Sequence, residues 1–346
     1  RSEGACLGVA GTAGWTSPDG NNDEKGGQAY RLRGDSVRTV KTCDPAFASC
    51  TTLTNFNTGN TAVTQALLGA ANATERDTII NWSLGRDLQD ENGNANTAEN
   101  RPSIHGDVVH SRPVAINYGT DASPQVVVFY GGNDGALRAV NGNRSIAIGP
   151  FAAGSELWSF IPPEFYASLK RLYNNTTTIS FPGHTTGSPL PLPKSYGFDG
   201  PVTALKQASS AWLYATMRRG GRAFYAFDVT NPSAPTLKGK RGCPNNFSSF
   251  GTVSDADCSA DFTGIGQTWS SPKVLKAAGY SSGTAPLLIM GGGYDTCEDA
   301  DPNTCTSSNK GNKVYVLDAD TGAVQKTFDT DRGVVADITI VPDSNG

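Results

Sequence analysis

Residues 126–142 read VVVFYGGNDGALRAVNG, and this stretch decides the fold. An apolar run over 126–130 meets the turn-forming residues 131–135, and a second strand-like run follows over 136–140. Asp-Gly between two β-prone runs is a strong hairpin signal, because tight hairpin turns need residues with positive φ. The stretch therefore predicts a β-hairpin.

The pattern of strands and turns around this hairpin recurs along the chain. A strand that carries a proline precedes an apolar run, a glycine pair follows, and a second strand leads to a polar turn. The three units carry Pro113, Pro201 and Pro272, with the glycine pairs 131–132, 220–221 and 291–292, and a fourth unit opens at 334–341. Repeats of four strands with insertions between them predict an all-β fold of the β-propeller type. A β-sandwich is the alternative, but it would not require the same order three times.

Three units and one opening strand do not close a ring of blades. An open ring would leave strand edges unpaired at the break. We therefore expect the propeller to be incomplete in this chain, with blades over residues 101–346. Residues 1–100 are poor in regular pattern and rich in Asn, Thr, Asp and Gly. We expect them to form an irregular segment that packs on the propeller or leads into it.

Several local elements are also predicted. Trp158 and Trp269 occupy matching strand-like positions, so both are expected to anchor the core between blades. The remaining predictions are a strand over 106–114 that ends at Pro113, and helices over 60–68, 75–84 (capped by Thr74) and 163–173.

Composition and charge exclude two classes of partner. The chain has 346 residues, 40 of them Gly and 20 Pro, with 37% hydrophobic residues and a net charge of -4. A net charge this small predicts no basic surface for nucleic acid. The longest apolar runs are about five residues, far short of the roughly 20 that a membrane span needs. We therefore expect no nucleic-acid partner and no membrane-spanning segment.

The seven cysteines indicate the compartment. Six form close pairs within polar segments, namely Cys43 with Cys50, Cys243 with Cys258, and Cys297 with Cys305. Disulfides in an oxidising compartment are the favoured interpretation. Metal binding competes with it, but the Cys-x-x-Cys spacing typical of such sites is absent. Cys6 is left over, so its partner is expected outside this chain. Arg1 follows no initiator methionine, which is what a mature or processed product would show.

Eight segments together resemble the C-terminal domain of the PilY/PilC family of type IV pilus tip adhesins and biogenesis factors. Both the content and the order of these segments match, over roughly residues 100–346. They are GDVVHSRPV (106–114), YGGNDGALRAVNG (130–142), ELWSFIPPEF (156–165), YGFDGPV (196–202), GGRAFYAFDVTNP (220–232), GQTWSSPKV (266–274), GGGYDT (291–296) and KVYVLDADTG (313–322).

The resemblance implies a quinoprotein-like propeller and a secreted, non-enzymatic protein that acts in pilus biogenesis and adhesion. Its implied partners are minor pilins and ligands on host or abiotic surfaces. Its implied location is the bacterial cell surface, the pilus tip, or the outer membrane and periplasm. The family also implies a calcium loop after a strand, and Asp343 and Asn345 match the start of that loop. Calcium is thus the one cofactor expected, with regulation by calcium in the full protein.

Other candidate sites follow from the residues themselves. Asp19, Asn21 and Asp23 alternate along a polar loop, the arrangement in which side-chain oxygens surround calcium, although a solvated loop is the plainer interpretation. Arg33, Gly34 and Asp35 form an RGD tripeptide that would engage an integrin if displayed at a loop tip. Acidic loops over 87–94 and 295–301 are further cation candidates, but solvent-exposed acids are the favoured interpretation of both.

Two other functions stay open from the sequence. A quinone-dependent dehydrogenase uses the same propeller class and needs a stacked quinone, calcium and a catalytic acid. The adjacent Cys-Cys pair usual in such enzymes is absent from this sequence, so we expect neither a quinone nor catalysis. A periplasmic scaffold that binds strand edges of partners is the third interpretation.

Overall fold

The structure is a computed structural model. It describes residues 27–34, 38–102, 104–180, 186–188, 190–244, 255, 257–299, 301–306 and 309–342. The helices are α1 Gln28–Gly34, α2 Gln65–Leu68, α3 Ala73–Ser83 and α4 Tyr166–Asn174. The strands are β1 Val40–Thr42, β2 Thr54–Asn55, β3 Val114–Asn117, β4 Val126–Gly131, β5 Leu137–Asn141, β6 Glu156–Phe160, β7 Val202–Lys206, β8 Ala211–Thr216, β9 Ala223–Asp228, β10 Thr236–Gly242, β11 Lys273–Leu275, β12 Leu287–Gly291, β13 Lys313–Asp318 and β14 Val324–Asp329.

The described strands form three sheets, so the fold is all-β. Each sheet contains four strands that are consecutive in the chain and pair antiparallel in order, β3 to β6, β7 to β10 and β11 to β14. Short connections produce this pattern, because antiparallel neighbours need only a hairpin turn. No strand pairing joins one sheet to the next within the described residues.

The first sheet is extended by the N-terminal part of the chain. Strand β1 pairs parallel with β6, and β2 pairs antiparallel with β1, which gives the order β2-β1-β6-β5-β4-β3. Helices α2, α3 and α4 cover this region with a cluster that includes Ile79, Ile80, Tyr166 and Leu169. Residues 40–83 therefore share a core with the first sheet.

The second sheet is a middle layer that packs on both neighbours. Successive side chains of a strand point to opposite faces. On β9, Tyr225 and Phe227 face the first sheet, where they contact Phe160 with ring centroids 5.1 and 5.2 Å away. Phe224 and Ala226, on the opposite face, join the core shared with the third sheet. Alternation along one strand thus builds two cores.

The predicted anchor Trp158 lies in the first of these cores. Its indole is fully buried between Phe129 and Phe227, at centroid distances of 6.1 and 6.0 Å. Its Nε1 donates a hydrogen bond to the carbonyl of Pro232 at 2.8 Å. The prediction for Trp158 is confirmed. The prediction for Trp269 is wrong, because Trp269 precedes β11, is only half-buried and lies outside the cores.

The hairpin over 126–142 is confirmed as β4 and β5, with Gly135 at φ 91° in the turn. The predicted strand over 106–114 is wrong, because the strand begins at Val114 and residues 106–113 make no ladder. No strand forms over the described part of 334–341. Helix α2 is shorter than predicted, and Asn72 rather than Thr74 caps α3, by accepting from Glu75 N at 2.9 Å.

All three cysteine pairs form disulfides as predicted, Cys43–Cys50, Cys243–Cys258 and Cys297–Cys305. Cys243, Cys258 and Asp255 lie within 4.8 Å of one another, the spacing of a metal site. The two sulfurs are bonded to each other, however, and Asp255 pairs with Arg222 and Lys310. This group is therefore structural. Among the described helices, none has the length and apolar character of a membrane span.

Candidate functional site

The three glycine pairs meet at one end of the molecule. Backbone hydrogen bonds join them through the segments that lead into each repeat, including Thr268 N to Gly221 O at 3.1 Å and Gly266 N to Gly292 O at 2.8 Å. We call this surface the glycine end. It consists of residues 131–134, 218–221 and 291–294, of Asp299, and of the leading segments 105–112, 194–200, 266–271 and 333–337.

Close backbone approach explains the glycines. A Cβ atom on Gly131 would lie 2.0 Å from the carbonyl oxygen of Phe198, and one on Gly291 would lie 2.3 Å from that of Val334. Phe198 and Val334 belong to the leading segments of the second and fourth units, so the two contacts are equivalent. A side chain at either glycine would push the leading segment away from the preceding sheet.

We expect Gly131→Ala to lower the free energy of unfolding by about 2–4 kcal/mol, because the new methyl collides with backbone that cannot rotate away. Gly279→Ala is the matched control, since a Cβ there would meet nothing within 4 Å. The control should stay within about 0.5 kcal/mol of the parent protein. Urea denaturation followed by circular dichroism measures both. Equal stability of the two variants would contradict the proposed close contact.

Asn133 is the hub of a buried polar cluster at the glycine end. It is only 4% exposed. Its Nδ2 donates to Asp107 and to Asp199, both at 3.2 Å, and its Oδ1 accepts from Gly197 N at 3.1 Å. Asp199 is also buried and its second oxygen lies 2.7 Å from His110 Nδ1. These bonds join the first two repeats and use both donors and one acceptor position of the Asn133 side chain.

A chain of buried charges runs from the hairpin turn into the first sheet. Asp134 pairs with Arg138, Arg138 Nε lies 3.3 Å from Glu156 Oε2, and Glu156 Oε1 accepts from Arg38 Nε at 3.0 Å. Burial by itself would raise the pKa of Asp134, but the Arg138 guanidinium holds that pKa well below its usual range. Asp134 is therefore an ionised structural group rather than a proton donor.

His105 lies beside this network. Its ring stacks on Tyr130 at a centroid distance of 5.6 Å, and its Nε2 lies 2.8 Å from the Tyr130 hydroxyl. Burial, with the nearby Arg138 cation, lowers the pKa of His105 from 6.5 to about 4. Burial also raises the pKa of Tyr130. The pair is therefore neutral near pH 7.

We expect His105 to make stability depend on pH. Above pH 6.5 the imidazole is neutral in both the folded and the unfolded state, so its protonation does not affect the free energy of unfolding. Between about pH 6.5 and about 4 the unfolded state binds a proton that the folded state does not. As the pH is lowered through this range, the contribution of His105 to the free energy of unfolding should therefore fall by about 1.4 kcal/mol per pH unit. The total loss is roughly 3 kcal/mol at most.

His105→Gln keeps a hydrogen-bonding side chain but cannot take up the proton. Urea titrations at pH 7, 6, 5 and 4.5 should show a flatter loss of stability for this variant than for the parent protein. Parallel pH curves for the two proteins would rule out His105 as the group responsible.

The second and third repeats contribute an aromatic and cationic group. Trp269 stacks on Tyr294 with ring centroids 4.7 Å apart, and the Arg218 guanidinium carbon lies 4.1 Å from the centre of the indole. Arg219 bonds Asp299 through both terminal nitrogens, at 3.0 and 2.8 Å, and this hydrogen bonding lowers the pKa of Asp299. The acidic loop over 295–301 is thus tied to the glycine end by an ion pair.

Asp337 joins the fourth leading segment to the others. One oxygen accepts from Ser271 N at 2.8 Å, and the other pairs with Arg112 at 2.8 Å. Burial alone would raise the pKa of Asp337, but the bonds from Ser271 and Arg112 lower it. Asp134, Asp299 and Asp337 are all held ionised, which suits ion pairing and recognition better than general acid catalysis.

Comparison with known proteins gives two curated relatives. Over 280 residues the chain is 28% identical to the type IV pilus biogenesis factor PilY1 homolog of Xylella fastidiosa, an alignment that covers 73% of this chain and 19% of that protein. Over 226 residues it is 27% identical to the type IV pilus biogenesis factor PilY1 of Pseudomonas aeruginosa, covering 58% of this chain and 16% of that protein. The chain is similar to PilY1 proteins. The predicted family resemblance is confirmed.

The PilY1-like chain spans less than a fifth of the length of these curated relatives. No protein-family model matches it. The crystal structure of the Pseudomonas aeruginosa PilY1 C-terminal domain aligns with 60% of this chain and 31% of that chain, at 19% identity and a TM-score of 0.33. A TM-score that low adds nothing to the description of the fold.

Six of the eight residues predicted for the two calcium loops and the RGD tripeptide lie outside the described residues. These are Asp19, Asn21, Asp23, Asp35, Asp343 and Asn345. Of the RGD tripeptide, Arg33 and Gly34 end helix α1, and Arg33 Nε donates to the Pro102 carbonyl at 2.8 Å. Both calcium loops and the integrin motif stay predictions.

The structure also shows contacts that the sequence of this PilY1-like chain does not reveal. His110 and Asp199 are 89 residues apart, and Arg219 and Asp299 are 80 apart. No spacing rule connects residues so distant in the chain. The only local signal was the Asn-Asp-Gly turn, which placed Asn133 at a hairpin end but did not predict its contacts with two repeats.

Proposed function

We propose that this chain is part of a type IV pilus-associated protein of the bacterial envelope that acts in pilus biogenesis. The observation that carries the proposal is the match to two curated proteins named as type IV pilus biogenesis factors. The three disulfides support an oxidising, extracytoplasmic location. Minor pilins are the proposed partners, and the proposed location is the cell surface, including the pilus tip.

Deletion of the gene tests this role. In the bacterium that encodes the chain, the deletion strain should lose surface pili, counted by electron microscopy of negatively stained cells. Complementation with the parent gene and with Gly279→Ala should restore them. Normal piliation of the deletion strain would overturn the proposal.

We also propose that the three sheets are successive blades of a quinoprotein-like propeller. Their stacking in chain order supports this, because the second sheet shares one core with each neighbour. Contacts between the first strands support it too. Lys206 on β7 donates to Asn117 O on β3, and Thr203 Oγ1 donates to Pro272 O just before β11 at 2.8 Å. A crystal structure of the longer natural protein in which β3, β7 and β11 do not line one axis would contradict this arrangement.

We propose a binding role rather than an enzymatic one. The described carboxylates of the glycine end are each engaged, Asp107 with Asn133 and Lys194, Asp199 with His110, Asp299 with Arg219, and Asp337 with Arg112. Such pairs rigidify a surface and leave no carboxyl group poised to exchange protons. Dye reduction on addition of a quinone, calcium and an alcohol would refute the proposal.

Adhesion and calcium regulation are further proposals for the longer protein, and they rest on the family resemblance. Asp343 and Asn345 begin the motif that would supply oxygen ligands. In the longer protein, Asp343→Ala should abolish one calcium site in equilibrium dialysis, whereas Asp19→Ala tests the second loop. Unchanged calcium binding in both variants would exclude these two loops, and normal adhesion to a surface after gene deletion would exclude the adhesive role.

A further inference from the structure

Among the described residues of the glycine end, Arg218 is the one arginine or lysine without an ion pair. The others are paired, Lys194 with Asp107, Arg112 with Asp337 and Arg219 with Asp299. Arg218 makes neither an ion pair nor a side-chain hydrogen bond with described residues, and its buried Nε is without a partner. A buried donor left unsatisfied costs free energy.

The position of Arg218 is held by several contacts. Its guanidinium lies over Trp269, whose Nε1 donates to Gln267 Oε1 at 3.1 Å and so fixes the indole. Its backbone N donates to Thr268 O at 3.1 Å. Its φ of +49° lies in the left-handed region, which non-glycine residues rarely adopt and which persists where the surroundings enforce it. Burial lowers the pKa of Arg218, and the Asp199 carboxylate raises it from beyond ion-pair distance. The side chain is therefore preorganised, and no described carboxylate forms an ion pair with it.

We propose that Arg218, seated on Trp269, binds one carboxylate group of a partner protein. A guanidinium presents parallel N–H donors that match the two oxygens of a carboxylate, and stacking on an aromatic ring keeps those donors aligned. The residue is half-buried, so part of its side chain is accessible to such a group. The proposal deepens the proposed function, and it rests on the glycine end being a partner-binding surface.

Charge balance favours a carboxylate over a phosphate. One unpaired cation suits one negative charge, whereas a phosphate carries about 1.5 to 2 charges at pH 7 and calls for a second free cation. The aromatic ring does not favour a sugar. Trp269 already stacks with Tyr294 and Arg218. The edge of the Arg218 guanidinium is therefore the part of this cluster left to bind a ligand. A peptide carboxylate, from an acidic side chain or a chain terminus, is the ligand that fits.

Nuclear magnetic resonance on the whole chain tests the proposal, with the Trp269 indole N–H signal as reporter. N-acetylalanine carries a single carboxylate, and N-acetylalaninamide is its neutral counterpart. We expect the Trp269 signal to shift and saturate with N-acetylalanine at millimolar concentration and to stay fixed with the amide. Equal shifts with both compounds would overturn the proposal.

Three variants separate binding from folding. Arg218→Asn removes the charge with a residue that tolerates positive φ, and it should abolish the shift. Arg218→Lys keeps the charge without the planar fork and should weaken binding at least tenfold. Arg332→Gln is the control, because Arg332 is exposed and pairs only loosely with Glu298 at 3.7 Å, and binding should be unchanged. Binding that survives in Arg218→Asn would overturn the assignment.

Further probes distinguish the source of the ligand. Acetyl-Gly-Glu-Gly-amide should bind at least as tightly as N-acetylalanine, whereas glucuronate and inorganic phosphate should bind at least tenfold more weakly. Tighter binding of glucuronate or phosphate would refute a protein partner. The outcome is independent of piliation. Carboxylate binding in a protein whose deletion leaves pili intact would refute only the pilus role, and absent binding with lost pili would refute only this site.

Discussion

Trp158→Ala is expected to lower the free energy of unfolding by about 3–5 kcal/mol. Trp158 is fully buried between Phe129 of its own sheet and Phe227 of the second sheet. Truncation removes the largest fully buried side chain from the core that holds these two sheets together. The surrounding aromatic rings belong to paired strands and cannot collapse into the space, so the cavity cost adds to the lost burial.

Guanidinium denaturation followed by far-ultraviolet circular dichroism would measure the loss of stability, because this signal reports on the backbone and not on tryptophan fluorescence. Trp158→Phe keeps a ring but loses the hydrogen bond from Nε1 to Pro232 O, so it should cost less, about 1–2 kcal/mol. It also remains informative if the alanine variant fails to fold. Trp269→Ala is the matched control at the glycine end, and its half-buried side chain should cost less than that of Trp158. A larger loss for Trp269→Ala would contradict the division into core and surface tryptophans.

Glu156→Ala is expected to cost about 3–5 kcal/mol for a different reason. The Glu156 carboxylate lies between Arg38 and Arg138, and the side chains of all three are at most 4% exposed. Removal of the carboxylate leaves Arg38 without its acidic partner and leaves Arg138 with one counter-charge, Asp134. The cost is the desolvation of an unpaired charge rather than lost packing.

Glu156→Gln keeps the shape and accepts one hydrogen bond, so it should fall between the parent protein and the alanine variant. Asp329→Ala is the control, because Asp329 pairs with Lys313 on the surface and its side chain is 81% exposed. An exposed pair contributes about 0–1 kcal/mol. If Glu156→Ala and Asp329→Ala lower the free energy of unfolding by similar amounts, the buried ion pairs contribute no more to stability than an exposed pair.

Local pattern predicted the strands that combine apolar runs with turn residues. Strands β4, β8 and β12 form before the three glycine pairs and strands β5, β9 and β13 form after them, as the repeat predicted, and helix α4 forms close to its predicted position. Strand β10 was missed because its sequence, TLKGKRG, has no apolar alternation and is typical of an edge strand protected by lysines. Residues 106–113 were predicted as strand because they are β-prone, but their side chains bond across repeats instead, as His110 does with Asp199.

The repeat, the three disulfides and the family resemblance could be predicted from the sequence, because each depends on residues close in the chain or on ordered local motifs. The glycine pairs are also visible in the sequence. The reason for their recurrence follows only from the folded protein, because each contacts backbone far along the chain, as Gly131 does with Phe198. The same holds for Trp269, which a strand-like sequence predicted as core and which packing placed at the surface beneath Arg218. Burial and charge pairing depend on which segments contact each other in the folded protein, and the sequence of a single segment does not reveal its partners.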